Sequence, residues 1–538
     1  MAAGLRRRRR GWAVVALAAG ALATAAACSS DPDDDARPSI ATDWSAGAAE
    51  RSVTPTTTPD GLIPAGGGVT TSVDIADTPA GTEAAGTEAA PSTSPATTTT
   101  APPPALPSVT FDVDAGPGGF AGTQGLTGGL GGETYVVTSD ADSGPGTYRD
   151  ALADGDRIVR FDPSLDGATI RLEDPVETDA SNLTVDGSGK WITISGHATR
   201  FSGTNIVVAG MHFSENHEND ADDAITFREP DDTQVFGLFG NVFEHASDGL
   251  VDIIWNRGHD VYATICGNAF RHHDKAMLID SGEDDREGGR YSVTLCRNHW
   301  FDIYQRTPLS RFAHVHNFNS VFERYGKPDG SGGGSKSGGD GKGVSQHLVE
   351  GNMVFPRQEG ETTFDGSEVS RPRSEWAAPQ LDTDGAVRVN GNLLATVDGV
   401  TASEAEHDED EVFEPPYPYE LLAASEQLAA VIAATAGTCL PSGHTDAIVP
   451  CAPLIIDDPD GMIEIDIAPP ANGLPAAPIE SVEFVVGEAR LPGRRVDSNR
   501  WALDVAELGI GPTPIWAVAA TTDGRTVESD LVLVSNVT

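Results

Sequence analysis

The chain has 538 residues and a formal charge of −46, from 81 acidic against 35 basic side chains, so nucleic acid and other polyanions are repelled over most of its surface. An acidic ligand therefore needs a local cationic patch or a bridging metal ion. With 60 glycines, 6% aromatic residues and few long amphipathic runs, short strands and turns dominate, and no single ordinary core can span this length unless it repeats along an axis.

The first 28 residues read as an export signal: Arg6 to Arg10 supply its charged region and Trp12 to Ala19 its apolar one. Ala25-Ala26-Ala27-Cys28-Ser29 resembles a bacterial lipoprotein box with Ala25 where leucine is usual, which makes Cys28 the candidate lipidation site. Cleavage and release is the alternative, and the arginine run also fits twin-arginine export without its strict motif. Either route places the mature protein outside the cytoplasm, secreted or attached to the membrane through lipid on Cys28. No later segment is long and apolar enough to span a bilayer. Residues 29–108 are rich in Thr, Pro, Ala and Gly, including Thr97 to Thr100 and Pro102 to Pro104, and cannot bury a core; they read as a disordered tether.

From Val109 to about residue 440 the pattern changes to short apolar β-runs such as Thr134 to Thr138, Ile158 to Phe161 and Leu183 to Gly187. A unit of Gly or Arg, then Asn, any residue and an aromatic recurs at Gly240-Asn241-Val242-Phe243, Gly267-Asn268-Ala269-Phe270 and Arg297-Asn298-His299-Trp300, and at Gly351-Asn352 with Phe355 displaced by one. Gly210 to Phe213 and Asn319 to Phe322 are weaker copies. Intervals of roughly twenty to forty residues fit a coil of stacked rungs with insertions at its turns. The Asn residues are then scaffold, each amide bonding the backbone and its equivalents in neighbouring rungs.

Gly326 to Gly343 reads as a flexible loop between rungs; its glycines lack the context of a phosphate-binding loop. Leu421 to Ala436 reads as a helix bracing the coil from outside, ending at Gly437. Residues 453–538, with alternating runs such as Val482 to Val486 and Ile515 to Ala520, read as a small β-sandwich. Cys439 and Cys451 are disulfide candidates across a short loop, and Cys266 and Cys296, at matching places in their repeats, are either bonded or stacked thiols. No cysteine or histidine spacing supports a zinc site.

Chemistry concentrates between Asp223 and Asn319. Acids come first, Asp220, Asp222, Asp223, then Asp248-Gly249-Leu250-Val251-Asp252; His273-Asp274-Lys275 and Arg306-Thr307-Pro308-Leu309-Ser310-Arg311 follow. Ten of the 35 basic residues fall between Arg257 and Lys327, about twice the density of the chain average. Acids followed by cations on short strands suggest a site that clamps a polyanion through a bound cation.

With these landmarks in order, residues from about Gly118 to Gly437 resemble the pectate lyase family. Gly128 to Gly132 and Asp142 to Leu152 look like its entry segment, Asn182 to Gly187 like its first rungs, and Asp223-Ala224-Ile225-Thr226, the second acidic cluster, His273-Asp274-Lys275, Arg306 to Arg311, Val315-His316 and Phe318-Asn319 like its site motifs. The resemblance implies an all-β fold, a right-handed parallel β-helix with the small C-terminal β-sandwich after it, the latter similar to bacterial immunoglobulin-like modules. It implies Ca2+ held by Asp223, Asp248 and Asp252, a ligand type that calcium favours. Asp248 and Asp252, four apart on an extended segment, point to one face. It further implies β-elimination on polygalacturonate, an acidic polysaccharide, with Arg306 at the proton-abstracting position and Lys275 and Arg311 holding substrate carboxylates and developing charge.

Arginine is ordinarily protonated, so either Arg306 becomes transiently neutral or a calcium-bound hydroxide takes the proton while Arg306 stabilises charge. His273 and His316 are read as hydrogen-bonding residues of stacked turns and left out of the catalytic set. Two departures stand out: Gly237-Leu238-Phe239-Gly240 replaces the family's Trp-x-Asp-His, with an expected change of packing under the calcium site, and Cys296-Arg297 replaces a His pair, with another cation expected nearby. The protein is expected to act as a monomer and not to bind nucleic acid. The alternatives are a pectin lyase, against which the three aspartates argue, another polyuronate lyase, and a noncatalytic β-helix adhesin for acidic glycans.

Overall fold

The structure is a computed structural model that describes residues 108–111, 118–216, 223–280, 290–330, 336–337, 345–372, 380–381, 386–397, 400–401, 412–439, 454–456, 461–468, 476–486, 489–508, 511–529 and 532–536. The export signal, the tether up to residue 107, Cys28, Asp220, Asp222 and Cys451 lie outside the described residues. Among those described, no helix is long and apolar enough to cross a membrane.

The β-runs stack as a parallel β-helix. Ten strands from Glu133–Val137 to Ala386–Asn390 form one wholly parallel sheet, in which strand order follows chain order. Val185, Val208, Leu238, Ile265 and Leu295 lie in one register row across five rungs, and all five sit in the central core. Alternation along each strand turns every second side chain inward, so the apolar face of one rung is buried only by its neighbours. A sixteen-stranded sheet supplies the remaining faces. Its two branches meet in Ala269–Ile279, an 11-residue strand whose first half pairs with Val242–Glu244 and His299–Gln305 and whose second half pairs with Gly249–Ile254 and Leu309–Ser310. The branch through Ile225–Arg228, Gly249–Ile254 and Leu309–Ser310 carries the candidate site.

The repeated asparagines form the expected ladder. The Asn241 side-chain oxygen accepts from the Met211 amide at 2.9 Å, that of Asn268 from Asn241 at 2.8 Å, that of Asn298 from Asn268 at 2.9 Å, and that of Asn392 from Asn352 at 2.8 Å. Each side-chain nitrogen donates back to a carbonyl of the preceding rung, as Asn268 does to Leu238 at 2.9 Å. In the weaker copy Asn319 to Phe322 the Ser320 hydroxyl takes the amide's place, accepting from the Asn298 amide at 3.3 Å, while Asn319 binds the backbone of Leu422. Beside this ladder Phe213, Phe243, Phe270, Trp300 and Phe322 stack ring on ring at 4.3–5.8 Å. Asn268→Ala would leave a buried amide and a buried carbonyl without partners, and is expected to cost about 2–3 kcal/mol. A fall in thermal midpoint well beyond that of a surface Asn→Ala control checks it.

Cys266 and Cys296, paired in register, are disulfide-bonded with Cα atoms 4.5 Å apart. Cys439 is also a disulfide-bonded cysteine. The bracing helix spans Glu426–Thr435, shorter than expected, because Ser425 caps it by accepting from the Leu428 amide at 3.0 Å and Asn319 holds Leu422 to the coil in non-helical form. Leu428, Val431 and Ile432 pack against Val321 and Met353. The C-terminal region forms two largely antiparallel sheets around Ile463, Ile465, Phe484, Trp501, Leu503, Ile515 and Ala517, which is a small β-sandwich. Ser108–Phe111, at the junction of tether and coil, pairs antiparallel with Met462–Ala468 of this sandwich, a long-range pairing that local pattern does not announce.

One buried histidine sets a pH dependence. His347 is enclosed in the coil with its ring nitrogen 2.7 Å from the Ser310 hydroxyl, and burial pushes its pKa down to about 3. The folded state holds it neutral while the unfolded chain protonates it below about 6.5. Its contribution is present above that value and is lost as pH falls toward 3, by about 1.4 kcal/mol per pH unit for one proton. His347→Gln is expected to flatten this acid limb in urea midpoints measured between pH 7 and 4.

Candidate active site

Strand alternation places the site residues on the outside of the coil. Ile225, Phe227, Val251 and Ile253 point into the core, so Thr226, Arg228, Asp252 and Ile254 point outward. Thr226 pairs with Asp252 and Asp252 with Leu278, which brings three successive rungs to one outward face, and Gly249 pairs with Lys275 at the start of the same strand. Arg306 occupies the bend between His299–Gln305 and Leu309–Ser310, with φ 61° and its carbonyl accepting from the Met277 amide at 2.8 Å.

Asp223 and Asp252 are the buried pair at the centre, 8% and 5% exposed. Asp223 accepts from the Gly249 amide and from the Thr226 hydroxyl, both at 2.9 Å. Burial pushes its pKa up to about 7, and the Asp248 charge adds to this against the Gly249 and Thr226 hydrogen bonds and the Arg306 charge. Asp252 is raised well above the usual carboxylate range by burial and then by Asp223, with Arg306 opposing. Its Oδ1 is buried and accepts no hydrogen bond among the described residues. Between the two lies Gly249: a Cβ there would stand 2.5 Å from Asp252 Oδ1 and 3.0 Å from Asp223 Oδ1. Two acids converge on a gap that a side chain would fill, and one oxygen of Asp252 lacks a donor among the described residues. That arrangement fits a small cation with hard oxygen ligands.

Asp248, just before its strand, is placed differently. Its carboxylate accepts from Lys275 Nζ at 2.9 Å, and its carbonyl from His273 Nε2 at 2.7 Å. Burial works against its ionised form, but the Lys275 charge and hydrogen bond, then Arg306, hold its pKa below the usual range. Among the described residues no three His, Cys, Asp or Glu side chains are assembled as a metal cluster. The structure thus brings Asp223 and Asp252 together and turns Asp248 to Lys275, close enough for its charge to raise both. Arg311, one rung on, donates from its amide to Ile279 at 3.0 Å and from Nη1 to the Asp280 carbonyl at 3.4 Å, with its side chain half-buried.

Thr226 and Gly249 were not singled out by sequence reasoning. Thr226 shares the outward parity of Asp252, so strand phase holds its signal, whereas Gly249 is marked only by standing between acids. His273 acts on the Asp248 backbone, whereas His316 is fully buried on the ten-stranded sheet and satisfied by Tyr417 at 2.7 Å and Glu350 at 3.3 Å. Both departures from the family pattern fall away from the site. Gly237 and Phe239 face outward on the ten-stranded sheet, where Phe239 packs with Val207, Cys266, Cys296 and Phe318 rather than under Asp252. Arg297 is half-buried at the bend after the ten-stranded sheet, and burial lowers its pKa against the opposing Glu420 charge. The expectations of altered packing under the site and of an added cation near it are corrected accordingly.

Residues 239–354 match the family described as Pectate lyase. The chain is 32% identical over 208 residues to "Pectate lyase plyB" of Emericella nidulans, a match covering 37% of this chain and 59% of that protein. It is 30% identical over 301 residues to "Probable pectate lyase C" of Aspergillus terreus, covering 53% of this chain and 64% of that protein. The chain therefore spans less than two thirds of either relative. Among solved structures, a pectate lyase from Bacillus sp. N165 in complex with trigalacturonate aligns with TM-score 0.45 and 20% identity, over 60% of this chain and 99% of that one.

Proposed function

We propose that the chain is a pectate lyase that cleaves polygalacturonate by calcium-dependent β-elimination. The observation that carries this reading is the convergence of Asp223 and Asp252 on the Gly249 gap, within electrostatic reach of Arg306. The match of residues 239–354 to the family and the two relatives support it.

Asp223 and Asp252 would hold calcium, with Asp248 at the edge of the pair. Bound there, the ion would neutralise a substrate carboxylate and so make the proton on the adjacent C5 more acidic. Lys275 and Arg311, on the rungs that follow the acids, offer cations for uronate carboxylates. The C5–H electrons form the C4–C5 double bond, the C4–O electrons leave with the glycosidic oxygen, and that oxygen takes up a proton. Arg306 receives the C5 proton. Its guanidinium charge bears on Asp223, Asp248 and Asp252, favouring the ionised form of each.

The same reading includes residues 109–440 as the lyase domain on a tether, an immunoglobulin-like C-terminal module, a monomeric state and an extracellular location, secreted or lipid-anchored at Cys28. Incubating the purified chain with polygalacturonate, with and without a chelator, and following the ultraviolet absorbance of the unsaturated product tests the activity. Silence on every polyuronate would sink the lyase reading. Absorbance that survives thorough chelation would instead favour a pectin lyase.

A further inference from the structure

Beyond Asp252 the outward face of the same sheet continues to a cation that the proposed chemistry does not use. Arg228 ends the strand Ile225–Arg228 in register with Ile254. It lies two residues past Thr226, the partner of Asp252, so its side chain leaves the same face about 6.6 Å further along the strand. The guanidinium carbon sits 5.1 Å from the ring centroid of Trp255. That indole is anchored in turn against Ile254, Leu278 and Leu309, an apolar cluster on the outside of the coil.

The acid nearest Arg228, Glu229, is shared with a second arginine. Glu229 approaches it only to 3.6 Å, beyond hydrogen-bond distance, because Arg257 holds Glu229 at 2.7 Å and reaches Asp231 at 3.2 Å. Arg228 is thus a partly exposed guanidinium, oriented by a packed aromatic ring and, among the described residues, paired only loosely with Glu229 at 3.6 Å. In a chain of −46 such a cation beside a site for a polyanion has a specific use. A polyuronate carries a carboxylate on every residue, so a chain seated at Asp223 and Asp252 presents further carboxylates along this face.

We propose that Arg228, mounted on Trp255, is a second carboxylate-binding subsite that holds a uronate residue flanking the one at Asp223 and Asp252. This rests on the polyuronate reading above. It assigns Arg228 to binding rather than chemistry, and Trp255 to positioning Arg228. Binding that is equal in ground and transition states appears in KM and not in kcat.

The test is steady-state kinetics of the full chain on polygalacturonate. Arg228→Gln, which keeps the stem and removes the charge, is expected to raise KM about ten-fold with kcat within about two-fold, as befits loss of one charge-assisted contact. The salt dependence of KM should become shallower, and Arg228→Lys should recover part of the loss. Trp255→Ala should raise KM less, and add nothing in the Arg228→Gln background. A KM within two-fold of wild type for Arg228→Gln, or a fall in kcat without a change in KM, overturns the subsite while leaving the lyase reading intact. A wild-type chain inactive on all polyuronates brings down that reading itself, and the subsite with it.

Discussion

Arg306→Ala is expected to lower kcat on polygalacturonate by about 10³-fold or more while calcium-dependent retention on immobilised polygalacturonate persists. The backbone contribution of this residue survives the change, because Met277 bonds the Arg306 carbonyl and not its side chain. What the side chain supplies is charge: it favours the ionised forms of Asp223, Asp248 and Asp252. Its removal leaves three acids with one fewer opposing cation, so a divalent ion should be held as tightly as before or more so. Turnover and calcium affinity are therefore expected to part company. Loss of both together, with an unchanged melting temperature, would remove Arg306 from the proton step. Arg306→Lys, with a point charge in place of the planar guanidinium fork, should keep retention and restore little turnover.

Asp252→Asn is expected to move calcium affinity and ion-free stability in opposite directions. Its Oδ1 is buried without a hydrogen bond among the described residues, beside a second buried acid, which is an uncompensated arrangement for an ionised group. A neutral amide of the same shape relieves it, so in chelator the variant should melt at or above the wild-type temperature. Added calcium, which should stabilise the wild-type chain by mass action, should then produce a much smaller shift, and the calcium midpoint should rise about ten-fold or more. Gly249→Ala reaches the same end sterically, since its Cβ would stand 2.5 Å from Asp252 Oδ1. Thermal melts of the three proteins across a calcium titration decide the matter. An unchanged titration for Asp252→Asn would exclude that residue from the ion site.

The coil was legible because its periodicity is physical. An amide that must meet its equivalent one rung away, and an aromatic that must stack on the next, recur wherever a rung turns, so Asn241, Asn268 and Asn298 announce the ladder before any coordinates exist. Ser320 was less legible, since a hydroxyl satisfies the same backbone amide with a different side chain. The disulfide between Cys266 and Cys296 was legible only as an alternative, because matching repeat positions place two cysteines side by side without saying whether they are bonded. The phase of the strands carried the outward placement of Asp252, and the same phase marks Thr226 and Arg228, whose residue types alone look ordinary.

The sequence by itself determined the stacked all-β architecture and the order in which acids and cations enter it, because both depend on spacing along the chain; it did not determine that Asp248 precedes its strand and parts from Asp252. Only the tertiary structure decided how those groups share one another. Asp248 binds Lys275 while Asp223 and Asp252 are left to converge on Gly249, and Glu229 is shared between Arg257 and Arg228. Each of these depends on register between rungs separated by twenty or more residues and on which carboxylate burial strips of water. Neither quantity is carried by any single stretch of sequence.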